Sequence, residues 1–151
     1  MAVSKIFIAL EAKLKIRSLI GRRKEIQDLQ NIHEGTNSAF VAVNSRRNVG
    51  KVFLIRTAFD QHFAFQCTAI AKPNLSTQLS NFHFSLKQYY PGDALEQATD
   101  WLVAFKNLIH ILKKHPVKRK VIFLDELPWM DTAQSGFIPA LENFWNSGAS
   151  A

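Results

Sequence analysis

Apolar and polar positions fall into blocks along this chain, and the blocks predict strands and helices in turn. Residues 39–43 are continuously apolar and partly β-branched, as expected of a buried parallel strand. A polar turn over residues 44–50 follows, and residues 51–59 then read as a helix carrying Phe53, Leu54, Ala58 and Phe59. Residues 63–70 read as a second strand and residues 121–124 as a third. The strongest helical period runs over residues 93–114, where Leu95, Ala98, Leu102, Phe105, Ile109 and Leu112 recur at three- and four-residue steps. Asp93 is its expected N-cap with Glu96 at capping-box spacing, Lys113 and Lys114 suit its C-terminal dipole, and Pro116 stops it.

The remaining stretches are less regular. Residues 4–17 mix apolar and basic positions and read as a short amphipathic helix or a frayed leader, set apart here as residues 1–17. A turn at residues 18–21 leads to a helix with Ile26 and Leu29 on one face, ending near Gly35. Residues 71–93, with Pro73, Pro91 and Gly92, read as irregular. A last helix is expected over residues 136–146. Strands alternating with helices imply an α/β fold with a parallel sheet covered by helices.

Composition narrows the class. The 151 residues suit one domain, and 47% hydrophobic content excludes a disordered chain. The net charge is +7, clustered at Lys13, Lys15, Arg17, Arg22, Arg23 and Lys24, at Arg46 and Arg47, and at Lys113, Lys114, Lys118, Arg119 and Lys120. Such clusters suit polyanions or form a solvated basic face. The single cysteine, Cys67, excludes an internal disulfide and reads as a buried structural thiol; a reducing, cytoplasmic setting is expected. The apolar run Ile6 to Leu10 is too short to span a membrane, so no membrane partner is expected.

Two segments carry candidate chemistry. Between the first strand and its helix lies Ser45-Arg46-Arg47-Asn48-Val49-Gly50-Lys51-Val52, where a Walker A phosphate loop would stand. There, backbone N–H groups and a helix N-terminus meet the phosphates, Gly50 allows close approach, and Lys51 reaches the outer phosphates. Ser45 stands where that loop has Gly. Val52 stands where it has a metal-binding hydroxyl, which valine cannot supply. The second segment runs from Val121 through Leu124 into Asp125 and Glu126, a strand ending in carboxylates where ligands of open α/β sheets sit. In a Walker B reading, Asp125 holds Mg²⁺ and Glu126 is the general base.

These segments, with three further ones, resemble the prokaryotic AAA-type ATPases described as archaeal-ATPase-like. Leu19 to Ile26, with Gly21 and Arg22, is similar to the family's opening motif. Arg46, Arg47, Val49, Gly50, Lys51, Phe53, Leu54 and Ile55 match its Arg-rich Walker A, while Ser45, Asn48 and Val52 depart from it. Leu124-Asp125-Glu126-Leu127-Pro128-Trp129-Met130-Asp131-Thr132, then Ser135-Gly136-Phe137, Leu141-Glu142 and Phe144-Trp145-Asn146, resemble its Walker B region, and Trp101-Leu102 with Phe105 its preceding helix. The resemblance spans residues 18–151 and implies the front part of a three-layer P-loop ATPase domain. ATP and Mg²⁺ are its cofactors, and Gly21-Arg22 lies on the adenine side. Further strands, expected beside the first strand, would follow residue 151, and without them an apolar edge is expected to be exposed. The expected function is ATP binding, with hydrolysis if the altered loop is competent. The alternatives are a non-catalytic nucleotide-binding chain and a nucleic-acid-binding module using the basic clusters. Expected partners are ATP, further copies of the chain and nucleic acid.

Overall fold

The computed structural model describes residues 5–11, 23–44, 50–60 and 62–149. Four strands, β1 (Lys5–Glu11), β2 (Ala39–Asn44), β3 (Phe65–Thr68) and β4 (Lys120–Asp125), form one small sheet. All pairings are parallel and the order is β2-β1-β4-β3. Five helices accompany them: α1 (Arg23–Glu34), α2 (Lys51–Ala58), α3 (Leu75–Tyr89), α4 (Trp101–Lys114) and α5 (Phe137–Ala149). Mixed helix and parallel strand is thus the architecture.

β4 shows why the sheet needs cover on both sides. Val121, Ile122, Phe123 and Leu124 are all buried, and strand geometry sends alternate side chains to opposite faces. Val121 and Phe123 join Leu29, Leu54, Ile55, Ala58 and Phe59 from the α1–α2 side. Ile122 and Leu124 join Phe65, Cys67 and the aromatic core of α3, α4 and α5. In that core Trp101 meets Phe137 edge to face at 4.9 Å and Phe82 at 5.5 Å, and Phe105 stacks on Phe144 at 5.1 Å.

Three expectations are corrected. Residues 5–11, read as helix or leader, are a strand paired on both sides, between β2 and β4. A strand with neighbours on both sides favours a continuous apolar run, which Ile6 to Leu10 supplies. β2 lies at one edge of the described sheet, with β1 as its partner.

The region read as irregular contains α3. Asn74 caps it by accepting from the Thr77 N–H at 2.8 Å, and Leu75, Leu79, Phe82 and Leu86 form its inward stripe. Pro73 and Pro91 therefore bracket a helix rather than mark a loop.

The helix expected from Asp93 begins at Trp101, capped by Asp100, whose carboxylate accepts from the Val103 N–H at 2.9 Å. Asp93 instead pairs with Lys114 at the other end of α4. A straight helix over residues 93–114 would hold them roughly 30 Å apart, so residues 94–100 must run back along α4. The apolar stripe rotates accordingly: Leu102 is exposed, while Ala104, Leu108 and Ile111 are buried.

Candidate functional site

The site is assembled where β4 and α2 meet at the C-terminal edge of the sheet. Gly21, Arg22, Ser45, Arg46, Arg47, Asn48 and Val49 lie outside the described residues. Gly50 is the residue before α2 and holds φ 74° and ψ 26°, a left-handed conformation suited to glycine. Gly50, without a side chain, supplies no side-chain cap to this helix. Lys51 opens the helix and is only 8% exposed. Val52, beside it, packs into the cluster of Leu29, Leu54 and Phe123. Its place in the fold is apolar, and it presents no oxygen to a metal.

On the other side, β4 delivers Asp125 and Glu126. Burial raises the Asp125 pKa above its ordinary value. The Glu126 N–H, bonded to Asp125 Oδ1 at 2.9 Å, opposes that shift, the Glu126 charge adds to it, and Lys51 and Arg56 oppose it. The carboxyl of Asp125 therefore lies within the electrostatic reach of Lys51, from a distant part of the chain.

Glu126 sits at φ 57°, in the left-handed region that costs a non-glycine residue roughly 1–2 kcal/mol. Its Oε2 is buried and has no hydrogen-bond partner. A carboxylate oxygen left so is poised for a cation, a water or a ligand proton. Strain and an unsatisfied acceptor coincide at this residue, as they do at functional turns. Its carbonyl accepts from the Trp129 N–H at 3.0 Å, which begins the 3₁₀ turn Leu127–Trp129.

Two neighbours were not picked out by sequence. Thr68 ends β3 opposite Asp125 in the register, and Ala69 donates its N–H to the Asp125 carbonyl at 3.0 Å. Gln78, 2% exposed on α3, ties the exits of both strands together. Its Oε1 accepts from the Ile70 N–H at 3.0 Å, and its Nε2 donates to the Trp129 carbonyl at 3.2 Å. A polar residue inside the apolar stripe of α3 is the signal that could have found it.

Cys67 is a structural thiol, as expected. It is buried, bonded by Ser85, and its pKa is pushed up to about 11 by burial. Trp129 and Trp145 pack against the main core. Among the described residues no cluster of three or more His, Cys, Asp or Glu could cage a metal, and no helix is long and apolar enough to cross a membrane. A cation at Asp125 would take its other ligands from water or a bound anion, the usual habit of Mg²⁺. Asp125 and Glu126 offer carboxylate oxygens of the kind Mg²⁺ takes, and the Val52 side chain offers none.

The chain matches no protein-family model, no curated protein and no solved structure.

Proposed function

We propose that the chain is an ATP-binding module of the AAA type, a three-layer P-loop domain that binds ATP with Mg²⁺ and hydrolyses it slowly. The observation that carries this reading is that Lys51, buried at the start of α2 after a left-handed Gly50, lies within electrostatic reach of Asp125 at the end of a buried parallel strand. A cation, a helix N-terminus and two acids at one sheet edge are the parts that phosphoryl transfer needs. Helix packing on both faces of the parallel sheet supports the layered architecture.

The residues divide the work as follows. Lys51 and the N–H groups opening α2 hold the outer phosphates. Asp125 holds Mg²⁺, which when bound neutralises charge developing on the phosphates. Glu126, with its buried Oε2, orients a water and accepts its proton. Val52, committed to the apolar cluster, leaves the metal one ligand short, hence slow turnover.

A nucleotide-binding role without hydrolysis is the second reading, favoured by the packing of Val52. The nucleic-acid reading loses two of its cations to the fold itself: Arg119 bonds the Ile32 and Asn37 carbonyls at 2.7 and 2.9 Å, and Lys120 bonds the Val117 carbonyl at 2.8 Å.

Titration with a fluorescent ATP analogue, with and without Mg²⁺, tests the proposal. Binding tightened by Mg²⁺ and lost in Lys51→Ala is expected. Unchanged affinity in a folded Lys51→Ala protein would overturn it. Faster turnover in Val52→Thr is expected of the hydrolytic reading; equal absence of turnover in both proteins selects the non-catalytic one.

A further inference from the structure

A cavity of roughly 780 Å³ opens at the edge of the sheet where β4 begins, opposite the candidate site. It is built where the C-terminal ends of α1 and α2 meet the segment leading from α4 into β4. Its volume suits a small organic ligand. One wall is apolar, formed by Phe59, Phe63, Ala58, Ala64 and Val121. Phe59 and Phe63 meet at 6.3 Å in a T-shaped pair, so two ring surfaces are offered together.

The rest of the lining is polar, and Arg119 and Lys120 are its cations. Lys120 is 4% exposed, a depth at which lysine is rare without an anion. Among the described residues its hydrogen-bond partner is the Val117 carbonyl, and an ammonium has three donors. Arg119 lines the cavity too, fixed by the carbonyls at the end of α1. His33, His62 and His115 complete this side. Against these stand Glu34 and Asp60, the latter exposed and 3.7 Å from His62. Burial first, then Arg119, lowers the pKa of His33, and burial first, then Lys120, lowers that of His115, so both imidazoles are held toward the neutral form. A negative charge in the cavity would offset the desolvation of Lys120.

We propose that this cavity binds a small organic anion, a carboxylate or phosphate on an aromatic or branched aliphatic body, with the anion on Lys120 and the body on Phe59 and Phe63. The site lies at the far end of β4 from Asp125 and does not depend on the nucleotide reading.

The test is an amide NMR titration of the full ¹⁵N-labelled chain at constant ionic strength. Benzoate is the probe, and benzyl alcohol is its uncharged counterpart. Benzoate is expected to give saturable shifts at Ala64, Val117 and Val121, and to bind about tenfold tighter than benzyl alcohol, the scale of one charge-assisted hydrogen bond. Lys120→Met keeps the buried stem and removes the charge, and is expected to erase that preference. No saturable benzoate shift, equal binding of the two probes, or an undiminished preference in Lys120→Met would each overturn the proposal. The wild-type comparison decides the matter even if that variant does not fold.

Discussion

Thr68 stands opposite Asp125 where β3 and β4 end, and their shared register sends both side chains to the face that α2 covers. Their neighbours Cys67 and Leu124 point the other way, into the aromatic core. A hydroxyl-bearing residue is thus the strand neighbour of the proposed metal-binding carboxylate. Thr68→Val keeps the β-branched shape on an exposed position. It is expected to weaken nucleotide binding about fivefold with Mg²⁺, on the scale of one net hydrogen bond, and to leave Mg²⁺-free binding unchanged. Analogue titrations with and without the metal read this directly. An identical Mg²⁺ effect in both proteins would remove Thr68 from the site.

Asp125 illustrates the tension between site and stability. Its folded-state pKa is raised, mainly by burial. A carboxyl so shifted contributes stability when protonated, below its unfolded value, and that contribution is lost as pH rises through the folded value. At pH 7 the ionised carboxylate therefore weakens the fold. Asp125→Asn, which cannot ionise, is expected to melt higher than wild type at pH 7, with the gap closing toward pH 4, while the Mg²⁺ effect on nucleotide binding disappears. Melting curves at the two pH values check the first part. A lower melting temperature at pH 7 would mean that the charge is better paired than burial implies.

The parts of the site that sequence reading found are those with local signatures. A continuous apolar run ending in acids announced β4, Asp125 and Glu126, and a Gly-Lys pair after another such run announced the start of α2. Thr68 and Gln78 had no such signature, because register between parallel strands and a helix-to-turn bridge are set by tertiary packing. The fold was legible in the same uneven way. α3 was hidden because Pro73, Pro91 and Gly92 drew attention from the period of Leu75, Leu79, Phe82 and Leu86. β1 was hidden because its apolar run is followed by basic residues that suggested an amphipathic helix.

Glu126 carries a strain that the proposed chemistry explains. Its φ of 57° suits asparagine better than glutamate, since a short amide side chain is tolerated in the left-handed region. Its buried, unpartnered Oε2 adds a desolvation cost. Glu126→Asn is expected to stabilise the fold by about 0.5–1 kcal/mol, a rise of roughly 1–4 °C in Tm for a chain of this size. ATP turnover should fall to background while nucleotide affinity stays. Thermal melts and a phosphate-release assay separate the two effects. Retained turnover would show that Glu126 is not the base.

The two aspartates flanking α4 make opposite predictions. Asp100 accepts from the Val103 N–H and begins the helix that carries Trp101, Phe105 and Leu108 into the core. Removing such a cap costs about 1 kcal/mol, so Asp100→Ala is expected to lower Tm by roughly 2–4 °C. Asp93 is held by Lys114 in a partly exposed ion pair whose hydrogen bond lowers the Asp93 pKa. Surface pairs are screened by water and salt. Asp93→Ala should therefore leave Tm nearly unchanged at physiological ionic strength. A helix starting at Asp93 would reverse this order, because the cap would then be the residue whose loss is felt. Melting curves of the two variants under one buffer thus decide where α4 begins, and with it whether residues 94–100 run back along the helix.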